Sequence, residues 1–443
     1  MHFITRRKRL RIRPGEVPPA ARQGHARAGL IAQVAGLTLC AFLAGCSLPM
    51  MRMEGVLPSL ASAAQIEPTP TPFSPVEPIP TAPPTRLHPD LQDVTATIWP
   101  GDPQAPVLLY HHFIPDSAPA NDTHIHLSEF RSELQTLYAD GYSLVPLGDW
   151  LRGDVHVAAG RRPLILTIDD LFFADQIYLL PDGTPAPSTG IGILWQFSQE
   201  HPDFGFAVAL FANLGDKAYP NFIQGNGGTR VGSGWQDSLA RTIVWCIDHG
   251  AIPYNHFFHH PYLDRLSPER ITAEAQDNDL KLKALLQLAG RPDLLDRVDN
   301  ILALPYGHWP ATPEGVKAVV DYRSPQGKPV IGIVEVGGIY AGHYLQPVYS
   351  PQFDPHHIPR MVGSSLAMGY LTHYQDRFPA GQQMDLGSLD LSQMKTAAAV
   401  QTSLADACRL RACPDGVYSL LGSIYRKSGS GFTLLWDGTK AAQ

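Results

Sequence analysis

Short apolar runs alternate with polar, helix-compatible stretches from residue 106 to about 290. Val107-Leu108-Leu109-Tyr110 follows Pro106 and reads as a buried strand. Ser128 is placed to cap a helix that carries Phe130, Leu134 and Leu137 on one face. Gly141 then precedes a strand at Tyr142-Ser143-Leu144-Val145. A further buried strand, Pro163 to Ile168, ends in Asp169-Asp170, and another covers Phe206 to Phe211. Residues 235–248 read as a helix, and Ile252-Pro253-Tyr254 leads into a histidine-rich turn. Ser267-Pro268 begins a long helix, with Ser as N-cap and Pro in the first helical position. Apolar strands alternating with helices predict an α/β fold around a parallel sheet, open or closed into a barrel. Beyond about 366 the periodicity weakens. Met394 to Leu404 suggests a helix, and 418–422 with 431–436 suggests a hairpin.

The pattern before residue 105 is different. A basic start leads into an apolar run from Leu30 to Ala44, broken only by Gln33 and Thr38. That is the layout of a secretory signal, and the run is short for a membrane span. It closes on Leu43-Ala44-Gly45-Cys46, which resembles the bacterial lipobox; the resemblance implies that Cys46 is lipidated and heads the mature chain. Ser47 after the cysteine favours outer-membrane sorting in a cell with two membranes. Residues 47 to about 104 hold eight prolines between Pro68 and Pro84, the composition of a semi-rigid spacer.

Charge sharpens this division. Residues 1–45 hold eight basic residues against Glu16, a net +7, which leaves −14 for the rest of a chain whose total is −7. An acidic mature protein is a poor partner for nucleic acid phosphates. Export permits a disulfide, and Cys408 and Cys413 are close enough in sequence to pair; Cys246, in an apolar stretch, reads as a buried thiol.

Two clusters carry candidate chemistry. Asp169-Asp170 end a buried strand, where α/β active sites are built. Adjacent residues point in different directions, so one carboxylate can hold a cation while the other moves protons. In Asn255-His256-Phe257-Phe258-His259-His260-Pro261, His256 and His260 are four apart, which on a tight loop puts both imidazoles on one side. Two histidines and one carboxylate, with water, fill the ligand set of a catalytic divalent ion.

Together these segments resemble the polysaccharide deacetylase family, also called the NodB-homology or carbohydrate esterase family four group. The resemblance rests on Thr167-Ile168-Asp169-Asp170-Leu171, on Asn255-His256 to His260-Pro261, and on Leu302-Ala303-Leu304-Pro305-Tyr306-Gly307. Val107 to His112 and Asp354 to Arg360 are similar to the opening and ending of one subgroup. The resemblance implies a distorted (β/α) barrel over 105–365, between a signal at 1–46 with a tether at 47–104 and an extension of no assigned role at 366–443. It implies Asp169 as catalytic base, Asp170, His256 and His260 as ligands of a divalent metal, usually zinc, and His111 as the acid, with His112 and His343 as rivals. Pro305 and Tyr306 would lie at the oxyanion and the substrate.

The implied activity is removal of N-acetyl groups from N-acetylglucosamine-type units of an envelope or extracellular polysaccharide. The protein would be a monomer facing outside the cytoplasm, held to a membrane through its lipid. Two departures keep a second reading open, that of a weak or inactive carbohydrate-binding lipoprotein. Ala303 stands where the family has an Arg that orients the catalytic Asp, so activity is lowered or another cation takes its place. Leu171 replaces a Gly, so its side chain would narrow the site or move the turn. A third reading is a deacylase of another amide or ester. Residues 180–200 and 220–235 read as loop insertions near the site, and Trp195, Trp235 and Trp309 as core or surface residues more than as sugar platforms.

Overall fold

The structure, a computed structural model, describes residues 91–121, 123–171, 175–215, 234–337 and 344–439. The signal, Cys46, most of the spacer, and His343 lie outside the described residues.

In chain order the strands and helices are β1 (Leu91–Trp99), β2 (Val107–Tyr110), β3 (His112–Ile114), β4 (His124–His126), α1 (Leu127–Ala139), β5 (Tyr142–Leu144), α2 (Leu147–Arg152), β6 (Arg162–Leu171), α3 (Gly190–Glu200), β7 (Val208–Ala212), α4 (Trp235–His249), β8 (Ala251–Asn255), α5 (Pro268–Leu288), β9 (Ile301–Ala303), α6 (Pro313–Val320), β10 (Gly332–Val334), β11 (Met361–Val362), α7 (Ser365–His373), β12 (Gln382–Asp390), α8 (Ala397–Arg411), β13 (Gly416–Leu420), β14 (Ser423–Ser428) and β15 (Gly431–Trp436).

The apolar runs become the main sheet, ordered β10-β9-β8-β7-β6-β2-β11, with β5 beside the start of β6. Every pair in it is parallel. The segment leading into β11 also joins β10: Ile358 N–H donates to Ile333 O at 3.0 Å, and Glu335 N–H to Ile358 O at 2.9 Å. The path therefore returns on itself, and the sheet is a distorted barrel wrapped by helices. Parallel strands put all their carboxyl ends on one rim.

Helix α1 buries Phe130, Leu134 and Leu137 against this barrel, the face the spacing predicts. Its cap is corrected. His126 occupies the N-cap position, and Ser128 sits inside the first turn, where its Oγ donates to Asp116 Oδ1 at 2.8 Å. Ser267 does cap α5, its side chain accepting from Arg270 N–H. The insertion expected at 180–200 is half helix, since Thr189 caps α3 from Gly190 onward.

A second sheet, β12-β1-β13-β14-β15, is antiparallel. It corrects three expectations. The spacer does not reach residue 104, because Leu91–Trp99 is a central strand. Val94, Ala96 and Ile98 of β1 are buried with Val400, Leu404 and Ala407 of α8. The hairpin partner of β15 is β14, not 418–422. The boundary expected at 365/366 falls in the first turn of α7, whose Ala367, Met368 and Leu371 join the barrel core. All these elements belong to one unit, Pro83–Gln443. The second sheet meets the end of α2, where Ser419 Oγ donates to Gly153 O at 3.2 Å and Trp436 Nε1–H to Arg152 O at 2.9 Å. Gly153 must lack a side chain, since a Cβ there would lie 2.6 Å from the Trp436 ring. Cys408 and Cys413 form a disulfide at the end of α8, and Cys246 is a buried free thiol.

Candidate active site

Strand β6 carries Asp169 and Asp170 to the rim, and its ladder with β7 slips there. Ile168 pairs with Leu210 but Leu171 with Ala212, so β6 holds one extra residue. A bulge of this kind bends the strand and re-aims its side chains. Asp170 takes up the distortion with φ at 58°. The two carboxylates therefore do not point apart as an unbroken strand would dictate. His256 Nε2 lies 3.8 Å from Asp169 Oδ2 and 3.6 Å from Asp170 Oδ1. Gln176 ties the bulge to β2, donating from Nε2 to Asp169 O at 2.8 Å and to His111 O at 2.7 Å. Leu171 is fully buried and packs within the main core cluster.

The histidine loop leaves β8 and is pinned by α5. Asn255 Nδ2 donates to Ala275 O and to Asp279 Oδ1, both at 2.8 Å, while its Oδ1 accepts from Phe257 N–H at 2.9 Å. Glu274 Oε2 accepts from His259 N–H at 2.9 Å. These contacts turn the chain through positive φ at Phe257 (59°) and His260 (52°). His256 is almost wholly buried, and its Nδ1 lies 3.0 Å from Ala303 O. A carbonyl only accepts, so Nδ1 carries a proton here and Nε2 is the nitrogen that faces the carboxylates.

His260 Nε2 lies 3.4 Å from Asp170 Oδ1, an oxygen that is buried without a hydrogen-bond partner. One ligand atom from each of Asp170, His256 and His260 lies within 4.8 Å of the others. These donors fit a divalent cation. Two donors about 2.1 Å from a tetrahedral ion stand about 3.4 Å apart, close to the observed 3.4 and 3.6 Å. The His256 Nδ1–H to carbonyl bond is also the outer contact that metal-bound histidines usually have.

Asp169 sits beside this trio with a different partner. Arg360, fully buried, donates from Nη1 to Asp169 Oδ1 at 2.6 Å and from Nη2 to Oδ2 at 2.8 Å. Its Nε–H reaches Glu335 O at 2.9 Å. Burial alone would push the Asp169 carboxyl up, but the Arg360 guanidinium, then His256, outweigh it and bring the carboxyl down to about 2. Ala303 leaves its strand with no cation, and Arg360 supplies one from the segment that closes the barrel. In the sequence Arg360 stands out only as the last residue of a family-like ending. The sole hint to its role was that Ala303 left a buried Asp without its usual partner.

His111 follows β2 directly, with Nδ1 buried and unpartnered. Burial first, then Arg360 and His256, lower its proton affinity against the pull of Asp169 and Asp170. It therefore rests neutral, within electrostatic reach of both carboxylates. His112 turns elsewhere: its Nδ1 is 3.0 Å from Asp175 Oδ2, and its ring stacks on His124 at 4.8 Å. Burial opposes its protonation, but Asp175 outweighs that and raises its proton affinity. Pro305 is buried in the turn after β9, and Tyr306 follows at φ 57° with its ring 4.4 Å from that of His260. Trp195 packs against Phe206 and Trp245, Trp235 lies under Lys281, and Trp309 donates to Glu335 Oε1.

No family model matches the chain, and no curated protein does. Among solved structures, the chain is similar to a Streptococcus pyogenes deacetylase in complex with acetate, at 14% identity and TM-score 0.41, over 61% of this chain and 98% of that one. It is similar to a putative polysaccharide deacetylase from Bacillus anthracis at 15% identity and TM-score 0.40, over 61% and 69% of the two chains. A CE4 family pseudoenzyme from Bacillus anthracis is similar at 15% identity and TM-score 0.26, over 51% and 65%.

Proposed function

We propose that this protein is a metal-dependent hydrolase that removes N-acetyl groups from N-acetylglucosamine-type units of a cell-envelope or extracellular polysaccharide. One observation carries the reading. Three lone-pair donors, on Asp170, His256 and His260, converge beside a buried carboxylate that Arg360 keeps ionised.

An N-acetyl amide is unreactive, so its carbonyl must be polarised and a nucleophile made at neutral pH. A divalent ion, zinc by preference, held by Asp170, His256 and His260 would supply Lewis acidity and acidify water. Asp169 accepts the proton of the attacking water, and Arg360 fixes the direction of its two oxygens. The backbone at Tyr306 donates to the developing oxyanion, with Pro305 setting the turn. His111, neutral at rest, would take up a proton from solvent and deliver it to the departing amine, while Asp169 would release the water's proton after turnover.

The competing reading, a carbohydrate-binding protein without catalysis, rests on Ala303 and Leu171. Arg360 occupies the role that Ala303 leaves open, and Leu171 is packed in the core, so neither departure removes a reacting group. Metal analysis of the purified full chain and acetate release across a panel of acetylated glycans test the proposal. One divalent ion per chain is expected. Asp169→Asn should keep the metal and lose acetate release by on the order of 100-fold or more. Bound metal with no acetate from any glycan would favour the non-catalytic reading, and acyl release confined to other substrates a different deacylase.

The same proposal places the protein outside the cytoplasm as a monomer with no nucleic acid partner, tethered to a membrane through lipid on Cys46. The Cys408–Cys413 disulfide supports export, since such bonds persist in oxidising compartments. Labelled fatty acid should enter the wild-type chain and be lost from Cys46→Ala.

A further inference from the structure

The two metal-site histidines are held in different ways. His256 is fixed through its Nδ1 by Ala303 O at 3.0 Å and is almost fully buried. Among the described residues the His260 ring makes no hydrogen bond that would serve this purpose; its neighbours are Asp170 Oδ1 and two rings, His256 at 4.7 Å and Tyr306 at 4.4 Å. A ligating imidazole whose outer nitrogen meets no protein acceptor depends on packing and solvent for its tilt.

Packing takes that place. Tyr306 lies edge-on to His260, stacks on Tyr262 with centroids 4.0 Å apart and planes 7° from parallel, and Tyr262 in turn lies under the Arg265 guanidinium at 4.2 Å. The column is continuous from a surface cation to the metal site. Its position coincides with stored strain. Six non-glycine residues among those described have positive φ, and four of them, Asp170, Phe257, His260 and Tyr306, surround this one centre. Such conformations persist only where neighbours over-determine them. Tyr306 is 47% exposed, and the Tyr262 stack is one of the contacts that hold its ring.

We propose that Tyr262, capped by Arg265, is a positioning residue: through Tyr306 it fixes the His260 imidazole in the orientation that binds the metal. This rests on the metal-site reading above. It predicts an effect on metal affinity that is separate from folding, because Tyr262 lies on the rim and its loop is pinned independently by Asn255 and Glu274.

The test is zinc affinity of the full chain by chelator competition, read beside the melting temperature of the metal-free protein. Tyr262→Leu should weaken zinc binding by roughly 10- to 100-fold, the range for lost outer support of a ligand, with metal-free melting unchanged. Tyr262→Phe keeps the ring and should bind within about twofold of wild type. If Tyr262→Leu also lowers the metal-free melting temperature, Arg265→Ala removes the outer end of the column from the surface; it should weaken zinc by about two- to fivefold. Wild-type affinity in Tyr262→Leu, or in Arg265→Ala where that variant stands in, overturns the inference. So does an equal loss in Tyr262→Phe, which would point to the hydroxyl. His260→Ala is the control that reports the site itself. A wild-type chain that takes up no zinc sinks the metal-site reading and this inference with it, whereas zinc uptake lost in His260→Ala but indifferent to Tyr262 sinks the inference alone.

Discussion

At the scale of single residues, Asp169 and Arg360 are mutually dependent. A carboxylate and a guanidinium, both essentially without solvent, are stable only as a pair. Arg360→Ala leaves a buried charge without its partner and should cost about 3–5 kcal/mol in stability. Arg360→Lys cannot restore two parallel hydrogen bonds and should recover only part of the loss. The pH dependence has a definite sign. The Asp169 carboxyl is held at about 2, below its ordinary 3.8, so its contribution is present above pH 4 and is lost as pH falls toward 2. Chemical denaturation of wild type and Arg360→Ala between pH 2 and 7 checks this. The gap between them should shrink at the acid end, and a gap independent of pH would remove the ion-pair account.

At the scale of elements, the site is built from junctions more than from regular structure. The β6 bulge aims two carboxylates at one point, and α5 pins the loop after β8 through Asn255 and Glu274. The contact of α1 with β2, just before His111, holds a titratable group of its own. Tyr110 donates to Glu133 Oε2 at 2.7 Å inside the core, and Glu133 Oε1 has no partner. Burial pushes the Glu133 carboxyl up to about 7, with the Tyr110 hydrogen bond opposing it only in part. A raised carboxyl favours the folded state fully below its ordinary 4.5, and that advantage is lost as pH rises through about 7. The wild-type melting temperature should therefore fall between pH 5 and pH 8. Glu133→Gln, which cannot ionise, should flatten this slope; an identical slope in both proteins would exclude Glu133 as its source.

At the scale of the molecule, strand β1 binds chain ends far apart in sequence. It pairs with β12 over most of its length and with β13 at its end, so the second sheet has no centre without it. That sheet packs on α2 and the turn at Gly153, on the flank of the barrel. A chain beginning near residue 88 should melt like the full-length protein and keep its site. A chain beginning at 101 should expose the buried faces of α8 and β13, become protease-sensitive from about 380 onward, and melt lower. Equal protease resistance of the two truncations would show that the second sheet does not need β1.

The sequence by itself determined the parts that depend on local pattern. Apolar runs marked β2, β6 and β7, because strands buried between helices carry few polar residues. Ser267-Pro268 marked the start of α5 through backbone capping alone. His256 and His260 were legible as a candidate pair because of their four-residue spacing, and Asp170 because it ends a buried strand at the rim. The tertiary structure decided whatever depends on residues distant in the chain. Arg360 meets Asp169 across 191 positions, a pairing that only barrel closure creates. The β6 bulge is visible only in its register with β7, and so is the convergence of carboxylates that an unbroken strand would separate. Strand β1 reads as the end of a proline-rich spacer until β12 and β13 are beside it, since its apolar residues gain their meaning from the α8 face they cover.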